Sequence, residues 1–195
     1  AHRSALLSIT TGEAPLALMA ECQEGMKLVG QRYEAGDYFL SELIYASEIF
    51  KKATAVIAPQ MKAATPAKSL GTVVIGTAQG DIHDLGKDIV VNLLKGAGFA
   101  VHDLGVDVPP GRFLEKVKET RASIVGLSGL ITPSFAGMRE TIEMLQEAGL
   151  RDQVKVLIGG GVTTDQVREF VGADAYTTDA QAGVGICRRW ATEGK

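Results

Sequence analysis

The hydrophobic periodicity of the chain changes once, near residue 70, and that change admits few folds. From residue 71 onward, short β-branched runs at 72–76, 99–104, 123–127, 154–158 and 173–176 are separated by amphipathic stretches near 86–97, 110–120, 135–148, 163–171 and 179–191. A parallel connection needs a crossover long enough for a helix, and the helix covers a sheet face, so five strands alternating with five helices predict a parallel sheet buried on both sides. Before residue 63 the spacing is helical. Met19, Cys22, Met26, Val29 and Tyr33 step by three and four, and so do Phe39, Leu43, Ala46, Phe50, Ala53 and Ile57. The first stripe is expected to end near Gly36 and the second to break around residues 45–47; facing stripes of this kind make a small helical bundle. The stretch 63–69 carries Pro66 and no stripe. It is expected to be a linker of at most about 25 Å, dividing the chain into an N-terminal helical bundle (1–68) and an α/β domain (69–195).

Composition narrows the partners. With 46% hydrophobic and 22% charged residues the chain can bury a core and is neither disordered nor fibrous. A net charge of −3, with no basic run longer than Lys51-Lys52 or Arg188-Arg189, argues against nucleic acid. No apolar run reaches the roughly 18 residues of a membrane span, and residues 1–10 lack a targeting pattern, so the chain reads as cytoplasmic, without a membrane partner. Cys22 and Cys187 are far apart and are expected to be buried free thiols.

Right-handed crossovers and the strand count favour a flavodoxin-like order, 2-1-3-4-5, with ligands at the carboxyl ends of the strands. The unusual residues lie in the loops that this order selects. Gly80-Asp81-Ile82-His83-Asp84-Leu85-Gly86 follows the first strand, Ser128-Gly129-Leu130-Ile131-Thr132-Pro133-Ser134 the third, and Gly159-Gly160-Gly161 the fourth, while Tyr176-Thr177-Thr178 leaves the fifth. Two readings of His83 are open: a loop or capping histidine without a ligand, or a metal-binding imidazole whose second nitrogen is held by Asp81. His102-Asp103 is similar in text but ends the second strand, where a surface role is expected. Phosphate readings fail on spacing: Gly80 to Gly86-Lys87 is one residue too long for a Walker loop, Asp88 stands where Ser or Thr is needed, and no Gly-x-Gly-x-x-Gly opens the first helix. Ser128-Gly129 replaces the aspartate of a receiver domain, and three scattered histidines do not make a zinc hydrolase. A metal that brings most of its own ligands remains.

Asp81-x-His83-x-x-Gly86, then Ser128-x-Leu130, then Gly159-Gly160, resembles the cobalamin-binding signature DxHxxG…SxL…GG of cobalamin-dependent methionine synthase and the corrinoid proteins of multi-component methyltransferase systems. Gly36-Asp37-Tyr38-Phe39-Leu40, ending the helical part, is similar to the cap bundle of that family. The resemblance implies cobalamin, as methylcobalamin or a related corrinoid, bound base-off with His83 as the lower cobalt ligand and Asp81 and Ser134 continuing a relay whose proton occupancy biases the cobalt. It implies that Gly86 lets the loop approach the corrin, that Ser128, Leu130 and Thr132 line a slot for the displaced nucleotide tail, and that Gly159, Gly160 and Gly161 leave it room, with Tyr176 beside them. Phe39 and Leu40 would shield the upper face, with 63–69 as the hinge of a movable cap. The implied activity is that of a carrier, not catalytic alone. It would work in one-carbon metabolism between a substrate:corrinoid methyltransferase and a methylcorrinoid:tetrahydrofolate or other acceptor methyltransferase, maintained by a reductive activase. An excised module of methionine synthase carries the same residues. A B12- or light-sensing domain should have a tryptophan in its cap, but Trp190 lies at the other end of the chain. A mutase subunit ordinarily lacks such a cap.

Overall fold

A computed structural model describes residues 15–57 and 69–193; the expected linker residues 63–68 and the Met19 side chain lie outside what it describes. The described residues form two compact units, one made of those up to Ser69 together with Asn92–Gly98, the other of Leu70–Val91 and those from Phe99 onward.

In the first unit, α1 (Pro15–Glu34) and α2 (Leu40–Ile57) pack through their apolar stripes, with Leu18, Ala53 and Ile57 buried together against Cys22. Gly36 ends the first helical stretch at φ +80°, which a side chain would resist, and the Asp37 and Tyr38 amides donate back to Arg32 O at 2.9 and 3.2 Å. The second helix opens on a capping bond, Phe39 N–H to Glu42 Oε2 at 3.0 Å. It runs unbroken through residues 45–47, so the expected break is absent. Its buried face is Leu43, Ser47, Phe50, Ala53 and Ile57. Phe39 is not part of it: standing before the first turn, its side chain is 74% exposed. The polar residue on that face is satisfied, since Ser47 Oγ accepts from buried Asn92 Nδ2 at 2.5 Å. Ser47→Ala leaves that amide without its acceptor and is expected to cost about 1–3 kcal/mol. The urea midpoint should fall at unchanged m; wild-type stability would remove the pair from the account of the core.

In the second unit β1 (Thr72–Thr77), β2 (Ala100–Asp103), β3 (Ile124–Ser128), β4 (Lys155–Gly159) and β5 (Ala175–Thr177) form one parallel sheet in the order β2-β1-β3-β4-β5, as the alternation predicts. The connecting helices are α3 (Leu85–Gly96), α4 (Pro110–Thr120), α5 (Ser134–Glu147) and α6 (Asp165–Val171), with α7 (Ala180–Glu193) after β5. A short 3-10 turn at Arg151–Gln153, unforeseen from periodicity, precedes β4. Val74, Val125 and Ile158 from the central strands are buried with Phe113 of α4 and Met138 and Leu145 of α5. The register sets Thr77 beside Ser128, Ser128 beside Gly159, and Gly159 beside Thr177. Four loops therefore leave the carboxyl edge at one level, which brings the distant motifs together.

Cys187 is buried as expected, which pushes its thiol up to about 12; Cys22 is half-buried. Among the described residues no helix is long and apolar enough to cross a membrane.

Candidate functional site

The loop leaving β1 is folded around one buried carboxylate. Asp81 is 1% exposed, and its Oδ1 accepts from His83 N–H at 2.9 Å and lies 2.6 Å from His83 Nδ1. Its Oδ2 accepts from Leu130 N–H at 2.5 Å and Ile131 N–H at 3.3 Å, binding this loop to the one after β3. Burial pushes the Asp81 carboxyl up, but the Leu130 and His83 amides, the His83 ring and the Ile131 amide outweigh it and hold it below the usual carboxylate value. A carboxylate only accepts, so the ring proton belongs on Nδ1 and the lone pair on Nε2. The His83 side chain is 52% exposed, with its backbone held by Thr77 Oγ1 donating to His83 O at 2.9 Å. The result is a nitrogen donor of fixed tautomer presented on a tethered loop.

A cleft of about 200 Å³ opens beside it. His83, Gly86, Ser128, Leu130, Gly159, Gly160 and Gly161 line it, so the motifs from three loops converge. Asp81 stands behind His83 and outside the lining. Thr132 and Tyr176 are also absent from the lining: Thr132 is exposed on its loop, and the β5 end faces the cleft through Thr177 and Thr178 instead. Phe39 and Leu40 belong to the helical unit. Ser134 corrects the expected relay. It is fully buried and gives its hydroxyl to Ile131 O at 2.6 Å, so it braces the β3 loop and does not extend the Asp81–His83 pair.

The glycines divide by purpose. Gly160, at φ +129°, lets two loops touch, since a Cβ there would overlap Gly129 O, and it also lines the cleft. A Cβ on Gly86 would meet nothing within 4 Å, and one on Gly159 only Thr177 O at 3.5 Å, so the open space lies there. Deeper walls come from Ile75, Val90, Gly126, Leu157 and Gly183. In sequence these look like ordinary core positions, and a glycine inside a strand was the one signal available for Gly126.

Lys87 also lines the cleft and is 3% exposed. Its Nζ donates to Asp88 Oδ1 at 2.7 Å and to Asp103 Oδ2 and Oδ1 at 2.8 and 2.9 Å. Burial pushes the ammonium down, but these carboxylates more than offset it, and its pKa lies above the ordinary lysine value. Asp103 is exposed at the end of β2, where a surface position was expected, and is also tied to the cleft wall through Lys87. Among the described residues no three of His, Cys, Asp or Glu converge on one point, so side chains alone do not build a metal site here.

Residues 71–185 match a family model described as a B12 binding domain, and residues 3–58 match a second with the same description. The chain belongs to the B12-binding family. This B12-binding chain is 43% identical over 160 residues to dimethylamine corrinoid protein 1 of Methanosarcina mazei, covering 82% of its own length and 74% of the relative. It is 46% identical over 157 residues to trimethylamine corrinoid protein 1 of Methanosarcina acetivorans, covering 80% and 73%. It superposes on a chain of the methanol:cobalamin methyltransferase complex MtaBC from Methanosarcina barkeri with a TM-score of 0.82 and 28% identity, covering 96% of this chain and 71% of that one. The residues present fit a corrinoid. A macrocycle with its own equatorial nitrogens needs one axial donor and a slot, and the site offers the free Nε2 of His83 and a glycine-walled cleft.

Proposed function

We propose that this B12-binding protein is the methyl-carrying corrinoid component of a methyltransferase system, with methylated amines as the donor class. The observation that carries the reading is the His83 imidazole, fixed through Nδ1 by a fully buried carboxylate beside a glycine-walled cleft. When bound, the corrinoid supplies a cobalt centre that accepts a methyl group from one partner and yields it to another. His83 Nε2 is proposed as its lower ligand in place of the cofactor's own base, with Asp81 fixing tautomer and aim. Ser128, Leu130, Gly159 and Gly161 would border the displaced tail, Gly86 would leave space for the ring, and the apolar walls at Ile75, Val90 and Leu157 would exclude water. Phe39 and Leu40, exposed at the start of α2, are proposed as further cofactor contacts, and 63–69 as the boundary between domains 1–68 and 69–195. Partners would be an amine-specific donor methyltransferase, an acceptor methyltransferase linked to tetrahydrofolate or another carrier, and a reductase that restores oxidised cobalt. The methylamine class rests on the names of the two relatives above.

The test is label transfer. Chain reconstituted with cobalamin, reduced and mixed with a dimethylamine- or trimethylamine-specific methyltransferase and [14C]-labelled amine is expected to elute carrying label, and His83→Ala to lose most of it. No label from any methylated amine would overturn the donor class, and failure to retain cobalamin would overturn the carrier reading.

A further inference from the structure

The connection after β2 carries none of the binding motifs, yet it touches the His83 loop at both ends. We propose that Lys87, Asp103 and Asp107 form a brace that fixes the position of the 81–86 loop, making them positioning residues for His83. At the loop's entry, Asp107 Oδ1 accepts from Gly80 N–H at 2.8 Å and Asp107 N–H donates to Asp81 O at 2.9 Å. Asp107 does this at φ +50°, a left-handed conformation that aspartate adopts more readily than most residues. At the exit, Lys87 in the first turn of α3 reaches Asp103 at the end of β2, holding both carboxylate oxygens at 2.8–2.9 Å. The connection is itself fixed to β1: Leu104 N–H donates to Ile75 O at 2.8 Å, Thr77 N–H to Gly105 O at 2.9 Å and Val108 N–H to Thr77 O at 3.0 Å. His83 therefore stands on a span held at each end from the same rigid edge. A site held by such outer partners keeps its geometry, and one that loses them has the residue present but out of place.

The loop's order is measured first, in the cofactor-free chain, and its effect on cobalt second; only the second arm rests on the reading of His83 as a ligand. Lys87→Met, Asp103→Asn and the double variant are compared with Ile142→Val, a core substitution that lowers stability away from the loop. Amide order parameters at Ile82, His83 and Asp84 are expected to fall from about 0.85 to below about 0.6 in either brace variant and to stay unchanged in Ile142→Val. Lys87→Met removes the bonds to Asp103 and Asp88 together, and Asp103→Asn weakens the first by removing its charge, so the double variant should be no worse than Lys87→Met. In cob(II)alamin-loaded protein the ratio of imidazole-ligated to unligated cobalt is expected to fall roughly ten- to a hundredfold in the brace variants. Should Lys87→Met fail to fold, Asp103→Asn carries the test. Unchanged loop order in the folded brace variants overturns the proposal. Loosened order in a chain whose wild type never shows imidazole ligation supports the brace and overturns the ligand reading.

Discussion

Gly160→Ala is expected to lower the thermal midpoint of the cofactor-free chain by roughly 10 °C or more, while Gly86→Ala leaves it unchanged or slightly raised. The substitutions are chemically identical and both glycines line the cleft, so the difference comes from backbone alone. At Gly160 the φ of +129° is a region nearly closed to side chains, and the added Cβ would overlap the Gly129 carbonyl. Together these cost about 3–5 kcal/mol unless the loops after β3 and β4 separate. Separation would break the Gly129 N–H to Gly159 O bond of 2.9 Å and open the cleft floor. At Gly86, inside α3, the new methyl meets no atom within 4 Å, and alanine is the better helix former. Its penalty should appear only on binding, as weakened cobalamin affinity, because the methyl occupies cleft space. Equal stability of the two variants would show that the loop contact at Gly160 is not what holds the cleft together.

Asp81→Ala is expected to destabilise the cofactor-free chain by about 3 kcal/mol, read from urea unfolding, because it strands several donors at once. The Leu130, Ile131 and His83 amides all point at this carboxylate, which is 1% exposed, so water does not readily replace it. Asp81→Asn should lie between Ala and wild type. Its one carbonyl oxygen can serve either the His83 side or the Leu130 side, and its NH2 then faces donors on the other. If Asp81→Ala matched wild type, the carboxylate would not be the organiser of the loop.

Much of this was legible in the sequence, for physical reasons that differ by element. The sheet order followed from alternating β-branched runs and amphipathic helices, since a parallel connection leaves few arrangements. The spacing of Asp81 and His83 left their pairing open and the resemblance implied it; the two side chains lie 2.6 Å apart. Two local readings, of Ser134 and Phe39, differ from the structure, and two contacts, of Asp103 and Gly160, have partners remote in sequence. Ser134 was expected at the Asp81 carboxylate, but the backbone amides of Leu130 and Ile131 occupy it, and amides leave no trace in a motif. Asp103 is on the surface as expected, but nothing in the sequence links it to Lys87, 16 residues away. Phe39 fitted the spacing of a buried stripe, but its place ahead of the first helical turn puts it in solvent. Gly160 lines the cleft, and its close approach to Gly129 was not legible because that neighbour belongs to another loop.

The central claim is that the Nε2 of His83 supplies the lower nitrogen ligand of cobalt, and electron paramagnetic resonance of the cob(II)alamin-loaded chain tests it most directly. The unpaired electron lies along the axis of the lower ligand, so each axial line splits according to the nuclear spin of that nitrogen. Protein grown on nitrogen-15 histidine and loaded with unlabelled cobalamin is expected to show doublets where the unlabelled protein shows triplets, and His83→Ala to show neither. Triplets that survive the labelling would mean that the cofactor keeps its own base, and the account of His83 would be wrong.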